Sequence, residues 1–197
     1  MLLKAITLED MDAIVGIVPK PPVKLQVPTP KVDIEEDMPR LDRLRTRFEQ
    51  AGKTYGIPVE ILAAIASRES RVGQHLNKEG YDPEKKAYGI MQIDENWHKR
   101  RGNTPDSQAH INQAAEILAK NKKEIDKRFP KWTEEQRMRG AVAAYNMGTG
   151  NVRTWNNLDV GTTGGDYSKD VMLRARALKA RRDVMLQAEA LKTQKDQ

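Results

Sequence analysis

The sequence predicts an α+β fold that is mostly α-helical, with a minimal β-sheet. Three observations lead there. Apolar residues recur at helical spacing in one segment after another. Helix-start signals precede those segments, and glycine or proline closes them. Only one very short run, Ile90, Met91 and Ile93, offers a strand.

Residues 1–38 differ from the rest. Thr7-Leu-Glu-Asp10 reads as a helix N-cap with acids in the first turn. Leu8, Met11, Ile14, Val15 and Val18 then fall on one helical face, up to the stop at Pro19. The stretch from Pro19 to Pro30 is expected to be an extended, semi-rigid spacer. Two readings fit an amphipathic segment on a proline spacer. It docks a protein partner, or it folds back on the domain that follows.

Residues 39–197 form that domain. Leu41, Leu44, Phe48 and Ala51 mark one face of a helix starting at Pro39 and stopping at Gly52 or Gly56. Pro58 suits the first position of a second helix. Its run Pro58-Val-Glu-Ile-Leu-Ala-Ala-Ile-Ala-Ser67 is apolar on nearly every face except at Glu60, which predicts burial. Residues 71–88 are rich in Gly, Asn, Asp and Lys and read as a loop. Asp106 or Ser107 caps a long helix, with Ile111, Ala115, Leu118 and Ile125 inward and lysines outward. Thr133-Glu-Glu-Gln136 is a capping box. The helix it opens runs through Met138, Ala141, Val142 and Tyr145 to Gly148 and Gly150. Asp166 to about Gln194 reads as a long basic helix, broken near Arg181. There is no internal repeat.

At 197 residues, the chain fits one domain plus an extra segment. A hydrophobic content of 38% and a mean hydropathy of -0.74 imply a modest core under well-solvated helices. No apolar run is long enough to span a membrane. The start, Met1-Leu-Leu-Lys-Ala-Ile-Thr-Leu8, meets Glu9 and Asp10 too soon to form the apolar core of a secretory signal. Cysteine is absent, so no disulfide framework exists. Together these suggest synthesis in a reducing cytosol and delivery by another route. The formal charge of +6 either favours anionic partners or only keeps the protein soluble.

Glu69 carries the most chemistry. It follows the buried run at once, in Arg68-Glu69-Ser70, ahead of a polar loop. A carboxylate there loses water, which disfavours its charged form and raises its pKa toward the range of a general acid. The competing reading pairs it with Arg68 or Arg71. Asp82 and Asp94 follow in the chain. A raised-pKa Glu with an ionised Asp is the division of labour that breaks glycosidic bonds. An inverting hydrolysis needs the second carboxylate about 6.5–9.5 Å from the acid, with room for a water. Asp94 and Asp82 both compete for that role. Asp82 is alternatively an Asx-turn before Pro83, with Glu84 as its substitute.

The same residues carry a family resemblance. Ile65-Ala-Ser-Arg-Glu69-Ser70, Tyr88-Gly-Ile-Met-Gln-Ile-Asp94, Ala144-Tyr-Asn-Met-Gly-Thr-Gly-Asn-Val-Arg153 and Asp159-Val-Gly-Thr-Thr163 resemble, in order, blocks of the goose-type lysozymes. Phe129-Pro-Lys-Trp-Thr133 fits the same family, which belongs to a wider group with the lytic transglycosylases. The resemblance spans about residue 40 to about residue 180. It implies a lysozyme-like fold whose small sheet lies beside an active-site cleft. It implies a muramidase hydrolysing the β-1,4 bond between N-acetylmuramic acid and N-acetylglucosamine in bacterial peptidoglycan. Glu69 would be the acid, and Asp94, with Asp82 as rival, the water-positioning base. Tyr145, Asn146, His98 and Tyr167 would contact sugar, the Asn146 amide bonding an N-acetyl group and the Tyr145 phenol lying near the acid. Trp97 and His98 either offer aromatic surface to pyranose rings or form an ordinary packed pair.

Other chemistry finds little support. His75, His98 and His110 lack metal-ligand spacing, and no cofactor is expected. Gly148-Thr-Gly150 reads as a turn, not a phosphate loop, and no nucleophile elbow occurs. Lys120-Asn-Lys-Lys123 and the stretch from Arg174 to Arg182 lack interleaved aromatics, which argues against nucleic acid and for a solvated or wall-facing helix surface. Two rival functions stand. A lytic transglycosylase gives 1,6-anhydro products and needs no second carboxylate. A non-catalytic peptidoglycan-binding or assembly protein keeps the fold without the activity. The absent signal and the tethered segment suit a phage endolysin, a virion-associated lysozyme or a delivered effector acting at the bacterial cell wall. Residues 1–38 would then meet a virion or delivery apparatus; a signal-less animal lysozyme is the other source.

Overall fold

A computed structural model describes residues 34–84 and 86–195. The amphipathic segment 8–18 and the proline spacer lie outside the described residues. The folded unit begins earlier than Pro39. Ile34–Asp37 forms a 3-10 turn with Ile34 and Asp37 buried. The Asp37 carboxylate accepts hydrogen bonds from Ser67 at 2.6 Å, Arg40 at 2.7 Å and Arg71 at 2.9 Å. These bonds tie Asp37 to the helices that follow it.

Helix α1 spans Met38–Tyr55 and ends at Gly56, not Gly52. Gly56 has φ 69°, a left-handed conformation that glycine adopts without penalty. Helix α2, Val59–Ser70, starts just after Pro58, which occupies the cap rather than the first helical position. Every residue from Ile61 to Ser67 is buried, as the all-round apolar run predicts. Helices α1 and α5 (Tyr167–Lys195) pack on α2, and α4 (Glu134–Met147) packs on α5. Helix α3, Gln108–Arg128, is capped by the Ser107 hydroxyl and lies against α1 and α4. Its Ile111, Ala115, Leu118 and Ile125 are fully buried. Both arms of the Thr133–Gln136 capping box form, at 3.2 and 2.8 Å. No helix among the described residues is long and apolar enough to cross a membrane.

The sheet is minimal, as the sequence suggests, but its strands are placed differently. Strand β1 (Ala87–Tyr88) pairs antiparallel with β2 (Ile93–Asp94), with Ala87 opposite Asp94. Ile90 and Met91 lie in the connecting turn instead of a strand, and are buried there. Positive φ at Gly89 and at Gln92 turns the chain out of extended geometry on either side of them. Tyr81 adds a single bridge to Tyr88. Two further expectations fail. Helix α5 runs unbroken past Arg181, because the stretch holds good helix formers and no Gly or Pro. Arg174 is 1% exposed rather than solvated; its guanidinium bonds Asp170 and Ser67, both at 2.8 Å.

Candidate active site

The end of α2 fixes Glu69. Arg71 caps the helix in a left-handed conformation, and the Val72 amide returns to the Ala66 carbonyl at 3.0 Å. The Ser70 hydroxyl donates to the Ile90 carbonyl at 2.9 Å, tying the helix end to the loop before β2. Glu69 thus stands on the wall of a cleft of about 750 Å³, shared with Asp94, Trp97, His98, Tyr145 and Asn146. A second cavity of about 400 Å³ meets the cleft at Glu69 and Gln92 and contains Asp82.

Burial pushes the Glu69 pKa from 4.5 to about 7. The Tyr167 hydroxyl, which donates to Glu69 Oε1, and the Arg68 charge both pull the other way, and burial prevails. The arginine-paired alternative fails on geometry. Arg68 bonds Asp166 at 3.2 Å and Asp170 at 3.3 Å, and Arg71 bonds Asp37 and Glu36. Neither arginine pairs with the acid, and its raised pKa leaves it a proton to give near neutral pH.

The two aspartates both meet Ala87 of the small sheet. Asp94 faces Ala87 across the ladder, and Asp82 exchanges bonds with Ala87 from the other side, through its amide at 3.1 Å and its Oδ1 at 2.9 Å. Each anchors through Oδ1, Asp82 to the Lys86 and Ala87 amides and Asp94 to the Asn96 amide at 2.8 Å. The turn reading of Asp82 thus holds alongside its place in a cavity with Glu69. Glu84, the substitute, is exposed and bonds Lys86.

Of the residues expected to touch sugar, three border the cleft. The Tyr145 hydroxyl donates to the Met91 carbonyl at 2.8 Å. Burial, then the charge of nearby Glu69, raises its pKa well above the usual phenol value. The Asn146 amide spans Thr163, donating to its hydroxyl at 3.2 Å and accepting from its backbone N–H at 2.9 Å. His98 and Trp97 are exposed, Trp97 by 82%, so they are not a packed pair. Tyr167 differs. At 1% exposure it offers no face to a sugar, and its one hydroxyl serves Glu69. It positions the acid instead.

The family model described as "Lysozyme g" matches residues 31–181. The chain belongs to the lysozyme g family. The similarity to named relatives is broad. A lysozyme g of Epinephelus coioides is 43% identical over 155 residues, covering 74% of this chain and 79% of the relative. One of Cyprinus carpio is 41% identical, covering 79% and 83%. One of Casuarius casuarius is 39% identical, covering 74% and 77%. This g-type lysozyme is accordingly a glycoside hydrolase, with a mostly helical lysozyme-like α+β fold.

Sequence reasoning missed two residues of this lysozyme's site. Gln92 borders both cavities with φ 49°, a strained backbone for a non-glycine residue. Its side chain donates to the Gly89 carbonyl at 2.8 Å. Its place in the Tyr88–Asp94 block, two residues before Asp94, was the available signal. Arg68 bonds the Thr163 carbonyl at 3.2 Å, linking the α2 end to the turn that holds Asn146. Among the described residues no cluster fits a metal ion.

Proposed function

We propose that this lysozyme hydrolyses the β-1,4 bond between N-acetylmuramic acid and N-acetylglucosamine in bacterial peptidoglycan, and so degrades the cell wall where it acts. Glu69 donates its proton to the glycosidic oxygen as the bond to the anomeric carbon breaks. A water attacks that carbon from the opposite face, and Asp94 accepts its proton, with Asp82 as the second candidate. Trp97 and His98 offer aromatic surface to the sugar rings. Asn146 retains amide capacity for an N-acetyl group, and Tyr167 holds the acid.

The observation that carries this reading is the Glu69 carboxyl, its pKa raised by burial to about 7, on the wall of a sugar-sized cleft and unpaired with either neighbouring arginine. The net charge of +6 suits an anionic wall. Mass spectrometry of digested peptidoglycan tests it. Wild type should release reducing-end muropeptides, and Glu69→Gln none. Asp94→Asn should lose more activity than Asp82→Asn if Asp94 is the base, and the reverse result would exchange their roles. Release of 1,6-anhydro ends would make the protein a transglycosylase. Binding of peptidoglycan without cleavage by wild type would make it a wall-binding protein.

A further inference from the structure

The cleft lies at the C-terminal end of α2. At the other end of that helix is an apolar groove that takes no part in it. The groove forms where α1, α2 and α5 meet, over Met38, Leu41, Phe48, Ala63 and Leu178, with Met185 at its outer edge. Beyond it, α5 leaves the domain, and residues 183–193 are all exposed. Val184 is 65% exposed, Met185 40%, Leu186 55% and Leu191 60%. A helical stretch that packs against nothing is marginal in water, and so is a row of bare apolar side chains. Met185 continues the groove-lining face of α5, whereas Val184, Ala188 and Leu191, at i, i+4 and i+7, lie about a quarter of a turn round the helix from it.

We infer that residues 8–18 of this same chain cover that surface, laying Leu8, Met11, Ile14, Val15 and Val18 against the groove and the exposed Met185 face of α5. The tether allows it. The described chain starts at the groove rim, where Glu35 pairs with Arg181 at 2.6 Å. Residues 19–33 separate the segment from Ile34, fifteen residues that reach roughly 45 Å at about 3.1 Å each. An eleven-residue helix is only about 16 Å long. Charge agrees. The segment carries Glu9, Asp10 and Asp12 and no basic residue, and α5 presents Lys179 and Lys192 beside Arg176, Arg181 and Arg182, which also pair with Glu135, Glu35 and Glu60. The family match agrees too. It spans residues 31–181, so the segment and the exposed part of α5 both lie outside the matched stretch, and each carries apolar side chains. A short tether gives a local concentration in the millimolar range, which favours its own segment over other occupants.

The full chain has no native cysteine, so two introduced thiols are the only ones present. Ile14→Cys with Met185→Cys should cross-link within one chain, independently of protein concentration. The rate should exceed by at least tenfold that of Ile14→Cys with Lys120→Cys, whose side chain is 72% exposed on the cleft. Equal rates would overturn the inference. Cross-linked dimers that increase with concentration would assign the groove to a second copy instead. Hydrogen exchange checks the same point without cysteines. Amides of residues 183–192 should exchange at least tenfold faster in full-length Ile14→Asp/Val15→Asp than in wild type. Equally fast exchange in both would leave that face for a separate partner and refute docking in cis.

Discussion

Replacing Tyr167 by Phe should displace the pH–activity profile rather than simply lower it. The Tyr167 hydroxyl donates to Glu69 Oε1, a bond that favours the charged carboxylate and holds its pKa down against burial. With the bond present the acid titrates at about 7. A hydrogen bond to a charged group is worth about 1.5–3 kcal/mol, and each pKa unit about 1.4 kcal/mol, so its loss should raise the acid by about 1–2 units. The sign follows directly: a proton harder to remove keeps the acid competent to higher pH. The alkaline limb of kcat/KM, which reports the free enzyme, should therefore move from near 7 to roughly 8–9. The plateau should fall as well, because the carboxyl loses its positioning partner. Initial rates on soluble peptidoglycan fragments between about pH 4 and pH 10 measure both effects. Tyr145→Phe is the control, since its hydroxyl serves the Met91 carbonyl instead. It should cost activity without the displacement. An unmoved limb in Tyr167→Phe, or one displaced to lower pH, would refute Glu69 as the titrating acid.

Glu69→Gln should trade activity for stability. Activity should fall by at least about a hundredfold, the low end of what a positioned acid supplies. The folded protein binds a proton at Glu69 that the unfolded chain has released, so stability declines as pH rises from 4.5 to about 7. That shift caps the penalty at about 3 kcal/mol, and less remains because the carboxyl partly faces the cleft. Urea denaturation should show Gln stabilising the fold at pH 8 but not at pH 4. Equal effects at both pH values would contradict the raised pKa. Gly89→Ala should destabilise by about 2–4 kcal/mol. Its Cβ would sit 2.4 Å from the His110 ring and 2.8 Å from the Pro105 carbonyl, at φ +76°. Gly56→Ala, with nothing within 4 Å, should cost only its left-handed φ, about 1–2 kcal/mol. Similar melting temperatures for the two variants would mean that contact with His110 matters little.

Glu69 was legible because a buried run announces itself locally and the acid terminates it. The capping box before α4 and the inward face of α3 were legible for the same reason: their signals lie within one or two turns. Longer-range groups were not. Ser67 accepts from Arg174 and donates to Asp37, which lie far apart in sequence, and no local period marks such a bond. Arg174 sits in a basic run whose composition suggests solvent, yet the fold encloses it beside Asp170, 3% exposed. The Ile90–Met91 turn misled because Gln92 adopts a positive φ that its residue type does not advertise. Tyr167 was recognised as important but not for its role, since burial inverted its relation to the cleft.

Arg68 raises a physical problem at the site, and its partners resolve it. It adjoins Glu69 in the chain, and its guanidinium lies 5.8 Å from the centre of the Tyr167 ring. A cation held there without a counter-charge would lower a neighbouring carboxyl by about 1–3 units, returning the acid to the range where it is deprotonated at neutral pH. Asp166 and Asp170, at the start of α5, take that charge at 3.2 and 3.3 Å. The carboxylates thus protect the acid without touching it. Asp166→Asn should therefore move the alkaline limb downward, opposite to Tyr167→Phe. The displacement should be about half a unit to one unit, since Asp170 remains and both partners of the lost pair are about a fifth exposed. Because both changes act through the same carboxyl, the double variant should not show the simple sum of the two. A limb that rises in Asp166→Asn would mean that Asp166 acts on Glu69 directly, as a like charge, rather than through Arg68.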